Sequence, residues 1–572
     1  MTTAVGVRCL SEFAAVGSIF AIEKGPAAVA SGFGRGKSGQ ALIPRSDFFG
    51  DVASSSVSCS GRSSSSSIPR RRGSPLYAIA DQATREVDEG QRKKGEDPFT
   101  DVAPAAEKVP YNWQEQWYPL YMTSEIPKDG PLALTVYDRN LVVFYDGDGK
   151  LNCLEDRCPH RAAKLSEGQL MDGRLECLYH GWQFEGDGTC AKIPQLAPGA
   201  KIPKRACARS YAVKDSQGIL WVWMADARTA PYEKVPYYEH YDKPGWGDYS
   251  TIHELPYDYS ILVENVLDPA HIPISHDRTD SGAKRELAQA MVFDLKERTD
   301  LGFAGNWYNI STPETVNFTR FHAPSMVYNE VKRTGRDGIE SHFSATVLTR
   351  PTGQGKCMLI LRFGFSRSDG KPFTAITRIP KWIIHSTGTT ILEQDMGFLS
   401  AQNETMVREN KPTKDFYLNL KSQDVWVDEY RKWMDKVGHG MPYYFGHRTL
   451  SPPPISALQE HSPAGLTATI SSTYPSKGAF GHKYARDPTN RYFRHVVHCK
   501  PCRTALSNFE KAQKASLVLG LLSAGVATIM SKPVYRTAFV IVGFLMSLAY
   551  YLCGLGIKRI TENYVRPHRN RL

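Results

Sequence analysis

Cysteine is scarce, with eleven in 572 residues. So thin a supply makes no disulfide framework, and the compartment of the soluble core reads as reducing. Acidic residues are short at both ends. Residues 1–77 carry nine Lys/Arg against four Asp/Glu and residues 499–572 eleven against two, which leaves 78–498 at −3 out of a net +11. A nucleic-acid-binding domain wants a basic stripe on its folded surface, so this charge gives no support to a nucleic-acid partner. A usable nucleotide-binding fingerprint is missing. Gly32-x-Gly34-x-Gly36 lies in a Ser/Ala/Gly-rich stretch without the flanking strand and helix that such a loop needs. No internal repeat is visible, and the N-terminus lacks a continuous apolar run of secretory type.

What the N-terminus does have is Ser, Ala, Gly and Arg, including Ser63–Ser67 and Arg70–Arg72. That composition reads as an organelle transit peptide over 1–78, followed by a charged lead-in over 79–110. The C-terminus holds two uncharged apolar stretches, Ala515–Ser531 and Thr537–Ile557, separated by Lys532-Pro533 and Arg536. About 20 residues span a hydrocarbon core, so 515–557 reads as a two-helix membrane hairpin with a basic tail over 558–572. Lys511, Lys514, Lys558, Arg559, Arg566, Arg569 and Arg571 crowd its outer flanks, which by the positive-inside bias face the matrix-like side.

Between these ends the expected fold class is α+β. Residues 111–225 read as a β-rich domain. Leu141–Tyr145, the turn Asp146–Gly149 and Lys150–Leu154 carry a hairpin signature, and Gly218–Trp223 reads as a further strand. Residues 226–490 read as a mixed α+β domain. It contains a second hairpin, Phe343–Arg350 with Met358–Phe365, and a helix over Asp415–Val437. Residues 491–514 read as a linker.

Two constellations carry chemistry. The first is Cys158-Pro159-His160, then sixteen residues, then Cys177-Leu178-Tyr179-His180. Two thiolates and two imidazoles suit a Rieske [2Fe-2S] cluster, with sulfur on one iron and nitrogen on the other. The competing reading is a tetrahedral zinc site, whose ligand pairs usually come as C-x2-4-C and H-x3-5-H rather than as two mixed pairs. The second constellation is Glu264-Asn265-x2-Asp268-x2-His271-x4-His276. Pro273 is expected to bend the chain so that His271 and His276 converge. Two histidines and one carboxylate form the facial triad of non-haem Fe(II) oxygenases. Asp395 is the candidate carboxylate and Glu393 its rival, while Asp268 is placed to link the two metals. A third motif, Cys499-Lys500-Pro501-Cys502, reads as a redox-switchable pair. Zinc held with His495 and His498 is one alternative, and two unreactive thiols another.

In this order, C-x-H, C-x2-H, N-x2-D-x2-H-x4-H, a late Asp and a C-x2-C before a membrane hairpin, the chain resembles the plastid Rieske non-haem iron oxygenases. The subgroup is that of pheophorbide a oxygenase, the Rieske component of the import translocon and the protochlorophyllide-dependent translocon component. The strings Arg157–Arg161, Asp268–Thr279 and Glu393–Phe398 lean toward the last of these. The resemblance implies Cys158, His160, Cys177 and His180 as cluster ligands, His271, His276 and Asp395 as iron ligands, and Asp268 as the electron bridge. It further implies ferredoxin as donor, a ring of subunits (often three), and thioredoxin acting on Cys499 and Cys502. The implied location is the chloroplast inner envelope (or the thylakoid) with the catalytic domains in the stroma. The implied reaction is oxidation of a chlorophyll-type tetrapyrrole by O2, first protochlorophyllide a at its C7 methyl, with pheophorbide a or a chlorophyll catabolite as alternatives. A redox-sensing component of plastid protein import is the reading from another class.

Overall fold

The computed structural model describes residues 111–243, 245–279, 283–335, 338–370, 379–451 and 490–564. The expected transit peptide, the lead-in, the proline-rich break after Ser451 and the end of the basic tail lie outside them. The first part is all β. In chain order its strands are β1 (Trp117–Met122), β2 (Leu132–Val136), β3 (Arg139–Tyr145), β4 (Leu151–Glu155), β5 (Gln169–Met171), β6 (Arg174–Cys177), β7 (Trp182–Phe184), β8 (Cys190–Lys192), β9 (Ser210–Tyr211), β10 (Val213–Ser216) and β11 (Ile219–Trp223). They pair antiparallel as β1-β11-β10, β2-β3-β4-β9 and β5-β6-β7-β8. Two-residue turns with both residues at positive φ close three hairpins: Tyr137-Asp138, Asp172-Gly173 and Gln217-Gly218. Their twist matches that of the strands they join. The expected 141–154 hairpin is β3–β4, and the Asp146 carboxylate shapes its turn by accepting from the Asp148 and Lys150 amides at 3.1 and 2.9 Å.

The second part is built on β12 (Gly247–Leu255), β13 (Met291–Thr299), β14 (Gly302–Asn309), β15 (Asn317–His322), β16 (Met326–Thr334), β17 (Glu340–Gly353) and β18 (Lys356–Arg367). They form one antiparallel sheet in the order β12-β18-β17-β16-β15-β14-β13. The helices are α1 (Tyr259–Leu267), α2 (Ile272–Ser275), α3 (Lys381–Glu409), α4 (Val425–Lys436), α5 (Arg491–Arg494), α6 (Lys500–Ile529) and α7 (Pro533–Thr561). α1 starts because the Asp258 side chain accepts from the Ser260 amide at 2.8 Å. It buries Ile261, Leu262, Val263 and Leu267 against the sheet and its neighbouring helices. The fold class is α+β.

The two parts share a core. Tyr118, Tyr137 and Trp221 of the first belong to one buried cluster with Tyr259, Leu348 and Tyr430 of the second. Backbone bonds seal the joint, since the Tyr137 and Asp138 amides donate to Pro351 and Thr352 carbonyls, each at 2.9 Å. Val142, Phe144, Leu154, Leu165, Leu175 and Phe184 form a separate small core in the first part.

Three expectations change. The second hairpin is longer than expected, because a bulge between Pro351 and Gly353 lets β17 run past the proline to a turn at Gln354-Gly355. The helix expected over 415–437 forms only from Val425. Phe416, Leu418 and Leu420 recur every second residue, which is not a helical period, and the Asp424 carboxylate accepts from the Leu420 amide at 2.7 Å, folding that segment as a turn. The segment expected as a linker over 491–514 is folded: α5, a 3-10 turn and the first half of α6 pack beneath α3. Among the described residues, α6 and α7 are the two helices long and apolar enough to cross a membrane, and they pack closely on each other.

Candidate metal centres

The two sulfur and two nitrogen donors of the first motif come together on loops at one end of the small core. Cys158 follows β4, in a turn closed by its own amide on the Ala163 carbonyl (2.8 Å) and by the Ala162 amide on its carbonyl (2.9 Å). Cys177 ends β6, and the Gly181 amide closes the matching turn on its carbonyl at 2.8 Å. Gly181 sits at φ +75, where a Cβ would also press on the Pro194 ring at 3.0 Å. The Cys158 and Cys177 side chains are buried, about 2% exposed each, whereas His160 is exposed and His180 half-buried. Burial pushes the Cys158 thiol up to about 11, and the adjacent Cys177 sulfur adds to this. The His160 and His180 rings lie 4.4 Å apart, with Trp182 stacked on His160 at 4.7 Å and 5°.

Among the described residues, the sets of donors that all lie within 4.8 Å of one another do not include this quartet. One zinc ion would need all four at that range. Two adjacent thiols and two imidazole rings 4.4 Å apart are the donor pairs that a Rieske [2Fe-2S] cluster takes.

His271, His276 and Asp395 do meet the single-ion criterion. α2 is one turn, with His271 as its N-cap, Pro273 in its first turn and His276 as its C-cap, so the two imidazoles converge as expected. Asp395 comes from the middle of α3. Its Oδ2 lies 3.5 Å from His271 Nε2 and 3.2 Å from His276 Nε2, and its Oδ1 accepts from Ser275 Oγ at 2.5 Å. His276 Nδ1 bonds Gln394 Oε1 at 2.9 Å, and Gln394 Nε2 donates to Thr279 Oγ1 at 2.6 Å. The amide orientation makes Nδ1 the protonated nitrogen and turns the Nε2 lone pair to the site. Burial works against the charged forms here. The two histidines nevertheless hold the Asp395 carboxyl far below the usual carboxylate range, and Asp268 and Asp395 raise His271 to about 10. Such a donor set, two neutral-capable imidazoles and an anionic oxygen, fits a divalent iron.

Asp268 caps the C-terminus of α1. Its Oδ1 accepts from the Ala270 amide at 2.8 Å and its Oδ2 lies 3.4 Å from His271 Nδ1, an ionic contact. Asp268, His271 and Asp395 line a cavity of about 540 Å³ whose apolar walls include Phe398, Phe416, Tyr417 and Leu418. A larger cavity of about 1060 Å³ lies elsewhere, against Trp382, Cys499 and Phe509. It is the bigger of the two, but the smaller one holds the iron-type donors.

Glu393 does not belong to the iron site. It is buried on another face of α3, where Arg491 Nε and Nη2 donate at 2.9 and 2.5 Å, Arg494 Nη2 at 2.5 Å and the Tyr564 amide at 2.6 Å. Cys499 and Cys502 are also buried. His498, expected beside them, turns away to Tyr121 Oη at 2.8 Å. His495 stays beside them as expected, and His385 of α3 takes the place of His498. The Cys502 side chain and the two imidazoles hold the Cys499 thiol well below the usual thiol range against the cost of burial, while Cys502 is pushed up. Sequence reasoning missed His385, Gln394 and Ser275. Gln394 lies between Glu393 and Asp395, and that proximity was the available signal for it.

A Rieske [2Fe-2S] domain family matches residues 116–212, and a pheophorbide a oxygenase family matches 321–413. The chain is 52% identical over 464 residues to Protein TIC 55, chloroplastic, of Arabidopsis thaliana, covering 81% of this chain and 85% of that protein. It belongs to the plastid Rieske non-haem iron oxygenase family. The TIC 55 protein of Pisum sativum is likewise 52% identical over 481 residues, covering 84% of each chain. Protochlorophyllide-dependent translocon component 52 of Arabidopsis thaliana is 26% identical over 445 residues, covering 69% of this chain and 74% of that protein. Within the family, then, the lean toward the protochlorophyllide-dependent component gives way to a stronger likeness to the TIC 55 proteins. This oxygenase has a Rieske domain and a non-haem iron catalytic domain, its relatives are chloroplast proteins, and its two apolar helices suggest association with a membrane.

Proposed function

We propose that this Rieske oxygenase is anchored by α6 and α7 in a plastid membrane, takes electrons from a ferredoxin, and uses O2 to oxidise a chlorophyll-type tetrapyrrole. The observation that carries the reading is the convergence of His271, His276 and Asp395 beside a cavity of about 540 Å³, a volume within the usual range for small-molecule sites. In this reading Cys158, His160, Cys177 and His180 hold the cluster, and the triad holds iron. When bound, the cluster supplies one-electron transfer and the iron O2 activation. Asp268 orients His271 through Nδ1, Gln394 orients His276, and Ser275 fixes which Asp395 oxygen faces the metal. Phe398, Phe416 and Tyr417 offer a flat apolar ligand its stacking surfaces and exclude water. One oxygen atom enters a C–H bond and the other leaves as water, with two electrons from the donor and two protons from solvent.

Protochlorophyllide a and pheophorbide a are the first substrates to try, with the domains on the stromal side of the inner envelope. The test is anaerobic reconstitution with ferredoxin, then O2 and a panel of chlorins, with products read by mass. His271→Ala is expected to keep the cluster's visible spectrum and make no oxygenated product. Turnover that survives this substitution would sink the oxygenase reading. A redox component associated with plastid protein import is the second reading, favoured by the 52% identity to the TIC 55 proteins. It predicts cluster reduction by ferredoxin with no oxygenated product from any chlorin.

A further inference from the structure

A second group of metal-type donors lies nearly three helical turns from Asp395 along α3. His385 (α3), His495, Cys499 and Cys502 have donor atoms within 4.8 Å of one another, and all four residues are buried. His385 Nδ1 stands 3.2 Å from Cys499 Sγ and 3.6 Å from Cys502 Sγ, and His495 Nε2 stands 3.3 Å from Cys502 Sγ. Tetrahedral zinc, with Zn–S and Zn–N near 2.3 and 2.0 Å, puts its sulfur and nitrogen donors ~3.6 Å apart. The observed separations, 3.2 to 3.6 Å, reach that value or fall a few tenths of an ångström short of it.

The surroundings prepare these donors for a cation. His495 Nδ1 bonds the Ile252 carbonyl of β12 at 2.8 Å. A carbonyl can only accept, so the proton is on Nδ1 and the Nε2 lone pair points at the sulfurs. That second contact is the one metal-binding histidines usually make. Cys499 is the N-cap of α6 and Cys502 its third residue, so the C-x2-C pair is fixed by a helix start rather than by a loose loop. Two thiolates and a divalent cation sum to zero charge, which suits a buried site. An exchangeable disulfide, in contrast, needs a sulfur that a partner's thiolate can reach, and Cys499 and Cys502 are each about 3% exposed.

We propose that His385, His495, Cys499 and Cys502 bind one structural zinc ion that fastens α3 to the base of the C-terminal helix pair. The site is separate from the oxygenase metals and does not depend on the tetrapyrrole reading. The test is metal analysis of the full-length detergent-solubilised chain purified under reducing conditions. One zinc per chain is expected beside the iron, released by a mercurial that titrates the two thiols. Cobalt in its place is expected to show tetrahedral thiolate bands. Cys499→Ser/Cys502→Ser is expected to lose the zinc while keeping the Rieske spectrum. His385→Cys should retain the ion and His385→Ala should lose it, whereas His498→Ala should leave zinc content unchanged. Wild-type protein with no zinc, with iron at this position, or with a Cys499–Cys502 disulfide under reducing conditions overturns the proposal. So does zinc that survives the double serine variant. If the double variant fails to fold, the wild-type stoichiometry and the cobalt spectrum still decide.

Discussion

Glu393, Gln394 and Asp395 are consecutive, and each does something different. Asp395 faces the two histidines of the iron-type site, Gln394 holds His276 from behind, and Glu393 is clamped by two arginines. Gln394→Ala removes the acceptor that fixes the His276 tautomer. Losses of this kind cost about 10–100-fold in metal affinity or activity, and iron titration against a chelator should show it with the cluster spectrum intact. Glu393→Gln is expected to act differently. It leaves Arg491 and Arg494 buried without their carboxylate, and breaking a buried pair costs about 3–5 kcal/mol. Thermal unfolding should fall sharply while iron occupancy in the cold is kept. The sequence favoured Asp395 in this string and kept Glu393 as its rival. Residues two apart on a helix point to different sides, and only the packing of α5 against α3 decides which side meets arginine and which meets histidine. The Cys/His motifs were legible because their spacing is local. His385 was not, because its partners are more than a hundred residues away in the chain.

α3 is the element that connects these sites. At 29 residues it is ~43 Å long, and along it His385, Glu393 and Asp395 meet the cysteine pair, the arginine clamp and the iron-type site in turn. Trp382 near its start packs edge-on against Phe509 of α6 at 5.3 Å. Phe509 in turn fills the space over Gly556 of α7, where a Cβ would come within 2.9 Å of the ring. Gly556→Leu is therefore expected to push α7 from α6 at the base of the pair. Overpacking costs typically about 1–3 kcal/mol, readable as a lower unfolding temperature in detergent with both metal spectra unchanged below it. The failed half of the 415–437 helix belongs to this scale too. Its apolar content was right for a helix, but its period was that of an extended chain, and Leu418 ended up 88% exposed at the rim of the iron-side cavity.

At the scale of the molecule, the two halves share one core, yet the cluster loops and the iron-side cavity both open outward. His160 is exposed, and among the described residues the polar partners of Asp268, His271 and Ala270, come from its own segment. An assembly in which one chain's His160 edge faces another's Asp268 would join them. Co-assembling a His160→Ala chain with a His271→Ala chain is then expected to recover part of the activity that each lacks alone, measured as product per total protein. No recovery from mixed oligomers would place the working pair within one chain.

The unbroken run of α6 from Lys500 into its apolar half has a mechanical consequence. From Cys502 to Lys514 the helix rises ~18 Å before the uncharged stretch begins. The catalytic body is mounted on a stiff axle rather than a leash, pinned at its foot by side chains from α3 and α5. With α6 and α7 in a membrane, as proposed, its pocket would be held at a set height and bearing above the lipid. A substrate dissolved in that membrane would be met in one orientation, and a soluble donor protein would have to dock from the sides that the axle leaves clear.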